Sequence, residues 1–310
     1  VEDGAAVTVG VHVWLIFTGL IPALVARPLH LLVSLPWVFV FIEPVRRRQR
    51  ISGTFFCGLG IAAACYLILN QPRLVDQYGS LDRSTFQYLL AAALIIVVLE
   101  MARRAVQPVL PAVALIVLVY AFFGEHLPAS IGHTGVPPDY LLGSLVLAES
   151  GLWGSLTATS IELIVPFMIL GAFVTAGEAG TGFMSAATRL AGRFRAGAAK
   201  VSVLASAMYG TISGSASANV ASVGAITIPA MKRMGYPAPF AAATEAVAST
   251  GGQIMPPVMG AGAFIMAELL RIQYVDIAIA SVLPAVLFFA VAWIGIHYFA
   301  LRYDLPGVPA

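Results

Sequence analysis

Two polar interruptions in one long apolar stretch constrain this chain most. The stretch runs from Ala198 to Ala267 and is apolar enough to lie in a bilayer. It is broken at 213–219 by SGSASAN and at 249–257 by STGGQIMPP. Polar, glycine-rich backbone at membrane depth persists only where protein or a water-filled cavity satisfies its hydrogen bonds. Because broken helices of this kind indicate a transporter binding site, we take the two interruptions as the candidate site.

The composition supports a membrane location. Of the 310 residues, 59% are hydrophobic and only 10% are charged, whereas soluble domains carry about 25% charged residues. The basic residues lie in short loops between apolar runs, so the formal charge of +2 does not indicate a nucleic-acid partner. The two cysteines, Cys57 and Cys65, share one apolar segment, and no Cys/His cluster predicts a structural metal site or a cofactor.

The first interruption is interpreted as the tip of a re-entrant hairpin. Its arms, Ala198–Ile212 and Val220–Met231, have 15 and 12 residues, and a spanning helix needs about 20. The outer ends of both arms are basic, and short basic loops favour the cytoplasm. These basic residues are Arg189, Arg193, Arg195, Lys200, Lys232 and Arg233. The alternative, one helix of 34 residues, would place the basic clusters on opposite sides of the membrane.

The second interruption predicts one spanning element with an unwound middle. Pro237–Ala267 has 31 residues, enough to cross once. Gly251 and Gly252 allow unusual φ angles, and the two prolines at 256–257 lack backbone N–H donors. Carbonyl and hydroxyl oxygens freed in this way suit a hard cation, and a helix N-terminus suits an anion. A plain proline kink is the alternative.

The whole chain is predicted to be an all-α polytopic membrane protein. We expect about seven or eight spanning helices besides the hairpin and the broken helix. In this interpretation Val7–Ala26 crosses first, Arg27-Pro28 forms a tight break, and Leu29–Ile42 returns. The run RRRQR at 46–50 then anchors the cytoplasmic side. Asp139–Ala148 and Thr181–Arg195 are predicted amphipathic helices at the interface.

Both interruptions carry a family resemblance. The sequences GTISGSASANVASVGAITIPAMKRMGY at 210–236 and ASTGGQIMPPVMGAGAFIMAE at 248–268 resemble the large membrane subunit of tripartite ATP-independent periplasmic (TRAP) transporters. The likeness extends from Gly180 to Leu270 and is greatest to the branch with fused subunits and a TAXI-type binding protein. It implies an ion-coupled, elevator-type permease for organic acids in a bacterial or archaeal inner membrane, with a periplasmic binding protein as partner.

The resemblance also divides the chain. Residues 1–107 are similar to a small-subunit membrane scaffold, and 108–310 to the first half of a large subunit. The family's large subunit has a second inverted repeat, whereas this chain stops at Ala310, after the first. Either the chain is a fragment, or a second polypeptide supplies the other half of the site.

The candidate ion- and substrate-binding residues follow from the two interruptions. Neutral hydroxyl and amide oxygens suit sodium better than a proton, so we expect sodium as the coupling ion, with Ser215, Asn219 and Thr250 as its ligands. Packing of small residues is the alternative role for such positions. The full set is Ser213, Gly214, Ser215, Ser217, Asn219, Thr250, Gly251, Gly252, Gln253 and Pro256. Glu245, five residues before Thr250, is either functional or paired with Lys232 or Arg233.

An intramembrane serine protease and a membrane scaffold subunit are the two alternative function classes. GTISG at 210–214 approaches a rhomboid-like G-x-S-G, and His297 lies in a later span. However, the spacing is wrong, and His297 is only five residues from Arg302, near the predicted cytoplasmic face. We therefore expect no enzyme. A membrane scaffold subunit that does not transport is the second alternative.

Overall fold

The described chain is helical throughout. The computed structural model describes residues 2–19, 21–41, 47–77 and 79–305, and no β-strand occurs among them. Six helical segments of this part are long and apolar enough to cross a membrane, against the seven or eight expected. They are Ala23–Phe41, Arg50–Leu69, Thr85–Ala105, Val109–His126, Ser155–Ala176 and Tyr274–Tyr303. The predicted all-α polytopic membrane fold is confirmed.

The chain forms two compact units, Val1–Glu162 (unit 1) and Leu163–Ala310 (unit 2). The helices of unit 1 are α1 Glu2–Thr18, α2 Ala23–Pro36, α3 Arg47–Leu69, α4 Gln71–Val75, α5 Thr85–Ala105, α6 Val109–Phe123, α7 Pro138–Val146 and α8 Ser155–Thr159. Those of unit 2 are α9 Val165–Ala176, α10 Ala179–Ala191, α11 Gly197–Ser213, α12 Ala216–Asn219, α13 Ala225–Arg233, α14 Ala238–Gly251, α15 Ala261–Leu270 and α16 Tyr274–Tyr303. This division reflects packing, and the predicted boundary after residue 107 stays a prediction.

The predicted break at Arg27-Pro28 is wrong. Both residues lie inside α2, and the break comes earlier in the chain, because α1 ends at Thr18 and α2 begins at Ala23. Gly19 has a φ of +67°, a left-handed conformation that glycine adopts without strain. The Arg27 guanidinium donates to the carboxylate of Glu149 at 3.3 Å and to the carbonyl of Trp153, so it is satisfied in its helix. Of the basic run at 46–50, Arg46 lies outside the described residues, and residues 47–50 form the first turn of the helix that starts at Arg47.

The ends of α5 show how local sequence fixes a spanning helix in unit 1. The Ser84 hydroxyl accepts from the backbone N–H of Gln87 at 3.2 Å, which caps the N-terminus. At the other end, Glu100 pairs with Arg103 at 2.6 Å and with Arg104 at 2.7 Å. Positive charge in a last turn also complements the helix dipole.

Helix α11 lies at the centre of unit 2. Twelve of its 17 residues are buried, so it is surrounded by protein on most sides. Alanine, glycine and serine dominate its sequence, GAAKVSVLASAMYGTIS. Such small side chains let neighbouring helix backbones approach closely. Helices α9, α10, α13, α14 and α16 all pack against it.

The predicted helical hairpin is present. Its first arm is α11, and its second is the helical run from Ala216 to Arg233, which contains one π-helical turn at Val220–Gly224. The arms pack against each other, and the turn between them lies at Gly214 and Ser215. The alternative of one continuous helix is therefore wrong. Its re-entrant placement in a membrane stays a prediction.

The second interruption separates α14 from α15. Helix α14 ends at Gly251, a 3-10 turn covers Gly252–Ile254, and α15 begins at Ala261. The non-helical backbone therefore spans residues 255–260. The predicted broken helix is therefore confirmed, and the alternative of a plain proline kink is wrong.

Candidate ion- and substrate-binding site

A cleft of about 680 Å³ in unit 2 contains four of the ten predicted site residues. Ser213, Gly214 and Ser215 reach it from the hairpin tip, and Gln253 reaches it from the broken helix. Its other walls are mainly apolar. They include Ile164, Phe167, Met168, Val258, Phe264 and Ile277. A few polar groups in an apolar cleft are typical of a small-molecule site.

The tip has a conformation that requires glycine. Gly214 has a φ of +56°, and a Cβ atom there would lie 1.8 Å from the carbonyl oxygen of Met259. The next residue, Ser215, caps the second arm, because its hydroxyl accepts from the backbone N–H of Ala218 at 3.3 Å. The buried Oγ of Ser213 has no hydrogen-bond partner among the described residues.

Asn219, which does not line the cleft, connects the hairpin to the broken helix. Its side chain is fully buried, and Nδ2 donates to the carbonyl of Ser206 at 2.9 Å. A Cβ built on Gly252 would lie only 2.8 Å from this Nδ2, so the hairpin and the broken helix are in direct contact here. Oδ1 of Asn219 is buried without a partner in the described part of the chain. An orphaned buried acceptor of this kind is uncommon and suggests an absent ligand.

The structure does not bring the remaining predicted residues to the cleft. Ser217 and Thr250 are exposed, and the Thr250 hydroxyl donates to the carbonyl of Ala246 at 2.7 Å. Gly251 faces the ring of Phe288, and Pro256 is half-buried outside the cleft lining. Their roles in binding stay predictions.

The expected backbone at 250–253 is wrong. Gly251 and Gly252 have φ angles of −61° and −60°, ordinary helical values. Helical backbone, with a 3-10 turn at its end, extends to Ile254, because glycine permits unusual φ angles but does not require them. The unwinding starts only at Met255, beside the two prolines that lack N–H donors.

Several carbonyls freed by the break already have donors. The carbonyl of Gln253 accepts from the N–H of Gly260 at 2.7 Å, and that of Thr211 in α11 accepts from Val258 at 3.3 Å. The Tyr274 hydroxyl lies 2.7 Å from the carbonyl of Pro257 and also reaches that of Val258. The expectation that such carbonyls lack partners is therefore wrong for residue 253 and for one of residues 257 and 258, because the Tyr274 hydroxyl has a single hydrogen to donate.

Sequence reasoning missed a polar cluster around Glu245. This carboxylate makes no ion pair within the described chain, and Lys232 and Arg233 are exposed, so the predicted pairing is wrong. It is instead surrounded by four hydroxyl groups, two of which belong to Ser202 and Ser206. Their spacing of four residues puts both serines on one face of α11, a signal that was available in the sequence.

The suggested serine–histidine dyad is not supported. His297 Nδ1 lies 3.2 Å from Lys200 Nζ, and Ser213 lines the cleft. No hydrogen bond joins His297 to Ser213 among the described residues, whereas a dyad needs that contact.

Comparison with known proteins identifies the family. The family model described as "Tripartite ATP-independent periplasmic transporter, DctM component" matches residues 93–310, which is more than half of the chain. The chain belongs to this family. Six helices in the described part of the chain are long and apolar enough to cross a membrane, and this DctM-family member is a multi-pass inner-membrane protein.

Curated relatives cover parts of the same region. The chain is 34% identical over 148 residues to the C4-dicarboxylate TRAP transporter large permease protein DctM of Pseudomonas aeruginosa, covering 47% of this chain and 34% of that protein. It is 33% identical over 159 residues to the isethionate TRAP transporter permease protein DctMQ of Oleidesulfovibrio alaskensis, covering 45% of this chain and 25% of that protein. The chain thus spans between a quarter and a third of these relatives' lengths. No solved structure matches.

Proposed function

We propose that this DctM-family chain is the membrane permease component of a secondary, sodium-coupled uptake system for organic acids. The direct contact between Asn219 and Gly252 carries the proposal, because it joins the hairpin tip to the broken helix. Two interrupted helices that meet beside a cleft form the arrangement that secondary transporters use for substrate and ion.

Sodium is the proposed coupling ion because neutral oxygens are available at this contact. Asn219 Oδ1 and Ser213 Oγ are buried without hydrogen-bond partners among the described residues. Amide and hydroxyl oxygens are ligands that hard cations prefer. Ser215 and Gln253 line the adjacent cleft and are proposed to contact the substrate.

The proposed partner is a periplasmic substrate-binding protein of the TAXI type. This follows the resemblance of the two interruptions to that branch of the family. The two relatives described above are named for a C4-dicarboxylate and for isethionate, and organic acids are therefore the proposed substrate class. A second polypeptide that completes the binding site is a further proposed partner.

Ion coupling is testable in proteoliposomes. They would contain this chain, any further permease polypeptide that it requires, and a matched binding protein. Uptake of radiolabelled succinate and isethionate would be measured with an inward sodium gradient and with an equal potassium gradient. Uptake that requires both sodium and the binding protein supports the proposal. Equal uptake under both gradients would contradict sodium coupling, and no uptake of any acid tested with a binding protein that binds it would favour a scaffold role.

A further inference from the structure

A fully buried carboxylate lies between the hairpin and the broken helix. Glu245, in the middle of α14, is 0% exposed. Ser202 of the first arm donates to its Oε2 at 2.6 Å, and Ser206 donates to Oε1 at 3.1 Å. Ser249 donates to Oε1 at 2.8 Å, and the hydroxyl of Thr227 in the second arm contacts Oε2. All four hydroxyl side chains are themselves buried.

No positive charge balances this carboxylate within the described chain. Lys200 on α11 contacts His297 on α16, and Lys232 and Arg233 on α13 are exposed. Tyr209 on α11 bonds to Thr175 and Ser222. The remaining titratable groups of α16 are Tyr274, Asp276, Tyr298, Arg302 and Tyr303, and none of them pairs with Glu245. An ionised carboxylate buried without a countercharge is unfavourable, whereas a protonated one is not.

The hydrogen bonds of Thr227 fit a protonated carboxyl group. Its Oγ1 lies 3.1 Å from the carbonyl of Val223 and also within hydrogen-bond distance of Glu245 Oε2. A hydroxyl has one hydrogen and cannot donate to both. If Thr227 donates to Val223, Oε2 must supply the proton of the second hydrogen bond. A chain from Glu245 through Thr227 to Val223 is then fully satisfied.

The surroundings suit a proton better than a metal ion. Ser202, Ser206 and Ser249 donate their hydroxyl hydrogens to the carboxylate, and Thr227 lies at hydrogen-bond distance from it, whereas a cation needs oxygen lone pairs directed at itself. The backbone of Gly224 also lies close to the Glu245 side chain, because a Cβ atom on Gly224 would lie 2.9 Å from Glu245 Cγ.

We propose that Glu245 is a proton-binding site of this permease. Oε2 takes up one proton from water and forms an O–H bond, and the Thr227 hydroxyl turns from Oε2 to the carbonyl of Val223. Release reverses both changes and returns one proton to water. Ser202, Ser206 and Ser249 donate to the ionised state. Resting on the proposed function, this site makes uptake depend on pH at a fixed sodium gradient.

Infrared spectroscopy tests the proposal without a substrate. Difference spectra of the purified protein would be recorded across pH, in H₂O and D₂O, for wild type, Glu245→Gln and the exposed control Glu178→Gln. We expect a deuterium-sensitive carboxylic-acid band that titrates in wild type and in Glu178→Gln and is absent from Glu245→Gln. Identical spectra in all three would overturn the proposal.

Two further measurements complete the test. Ser202→Ala removes one donor to the ionised carboxylate and keeps the side chain small, so the band should persist to higher pH than in wild type; an unshifted band contradicts the proposed shell. This variant also serves if Glu245→Gln does not fold. A carboxylate signal of Glu245 that does not change with pH but shifts on adding sodium chloride at constant pH would instead identify a cation site and overturn the proposal. A titrating band without any uptake would reject the proposed function alone.

Discussion

At the scale of single residues, Asn219 is the position where the proposed sodium site is most vulnerable. Asn219→Ala removes the unpaired Oδ1 and also the hydrogen bond to Ser206. Losing the partner of a buried carbonyl costs about 1–3 kcal/mol, which lowers stability without necessarily unfolding the chain. We expect sodium to raise the melting temperature of wild type and to have no such effect on the variant.

Ser217→Ala is the matched control for this measurement, because Ser217 belongs to the same tip but is exposed. It should keep the full sodium effect. An equal sodium-induced shift in wild type, Asn219→Ala and Ser217→Ala would remove Asn219 from the ion site.

Gly251 is required for packing and not for an unusual backbone angle. A Cβ there would lie 2.3 Å from Cε1 of Phe288 and 2.8 Å from Cζ of Phe289. Gly251→Val should therefore destabilise unit 2 by about 1–3 kcal/mol through overpacking and reduce uptake strongly. Gly251→Ala should have a smaller effect of the same kind.

The double variant Gly251→Ala with Phe288→Leu separates the two explanations. If packing is the cause, the smaller Leu side chain should recover part of the melting temperature lost in Gly251→Ala. If the double variant loses as much melting temperature as the two single variants together, or more, the packing explanation fails.

The sequence predicted the role of a residue better when its partners are close in the chain than when they are distant. The glycine–serine tip followed from short-range rules for turns and caps. The role of Gly251 depends on Phe288, which is 37 residues away in the sequence. The hydroxyls around Glu245 likewise come from three separate helices, so only the serine spacing within α11 was visible beforehand.

At the scale of elements, the hairpin makes a prediction about membrane topology. Its outer ends carry Arg193 and Lys232, both exposed, and basic loops favour the cytoplasm. In a background of Cys57→Ala and Cys65→Ala, we expect Arg193→Cys and Lys232→Cys to resist an impermeant thiol reagent applied from the periplasm. Asp76→Cys should react and serves as the positive control, because Asp76 is exposed just after α4, at the end of α3 opposite to the basic run at 46–50.

Labelling of only one hairpin end from outside would show that the pair of helices crosses the membrane. Labelling of both ends would reverse the orientation of the hairpin. The first result contradicts the re-entrant arrangement, and the second contradicts the predicted cytoplasmic location of the hairpin ends, even though the helix–turn–helix itself is present.

Helix boundaries were predicted closely where glycine and serine form a turn. They were predicted poorly where a proline was expected to end a helix. The first arm was expected at Ala198–Ile212 and extends over Gly197–Ser213. In contrast, the break predicted at Arg27-Pro28 is absent, because Pro28 lies inside α2 and membrane helices accept proline where neighbouring groups satisfy the freed backbone. Apolar composition identifies a membrane helix, but it does not reveal which of several Gly and Pro residues ends it.

At the scale of the whole molecule, residues 1–107 are predicted to contribute stability and insertion more than ion binding. Ile96 lies mid-way along α5 and is 51% exposed, as expected of a lipid-facing position. Ile96→Lys should therefore impair membrane insertion by about 2.5–3.5 kcal/mol, whereas Ile96→Leu should be nearly neutral. Insertion would be measured from the fraction of folded protein in membranes.

Correctly inserted Ile96→Lys protein should keep the sodium dependence of wild type when uptake is expressed per folded molecule. A changed sodium dependence in that fraction would contradict a scaffold role for this region. The predicted boundary after residue 107 would then need revision, because residues before it would act in ion coupling.

The contact between Gly210 and Gly252 has a consequence for motion. A Cβ on Gly210 would lie 2.5 Å from the Cα of Gly252, so two backbones touch here with no side chain between them. Sliding one past the other would break close packing along their shared surface. The hairpin and the broken helix should therefore move as a single rigid body, and a distance probe attached to either one would report the displacement of both.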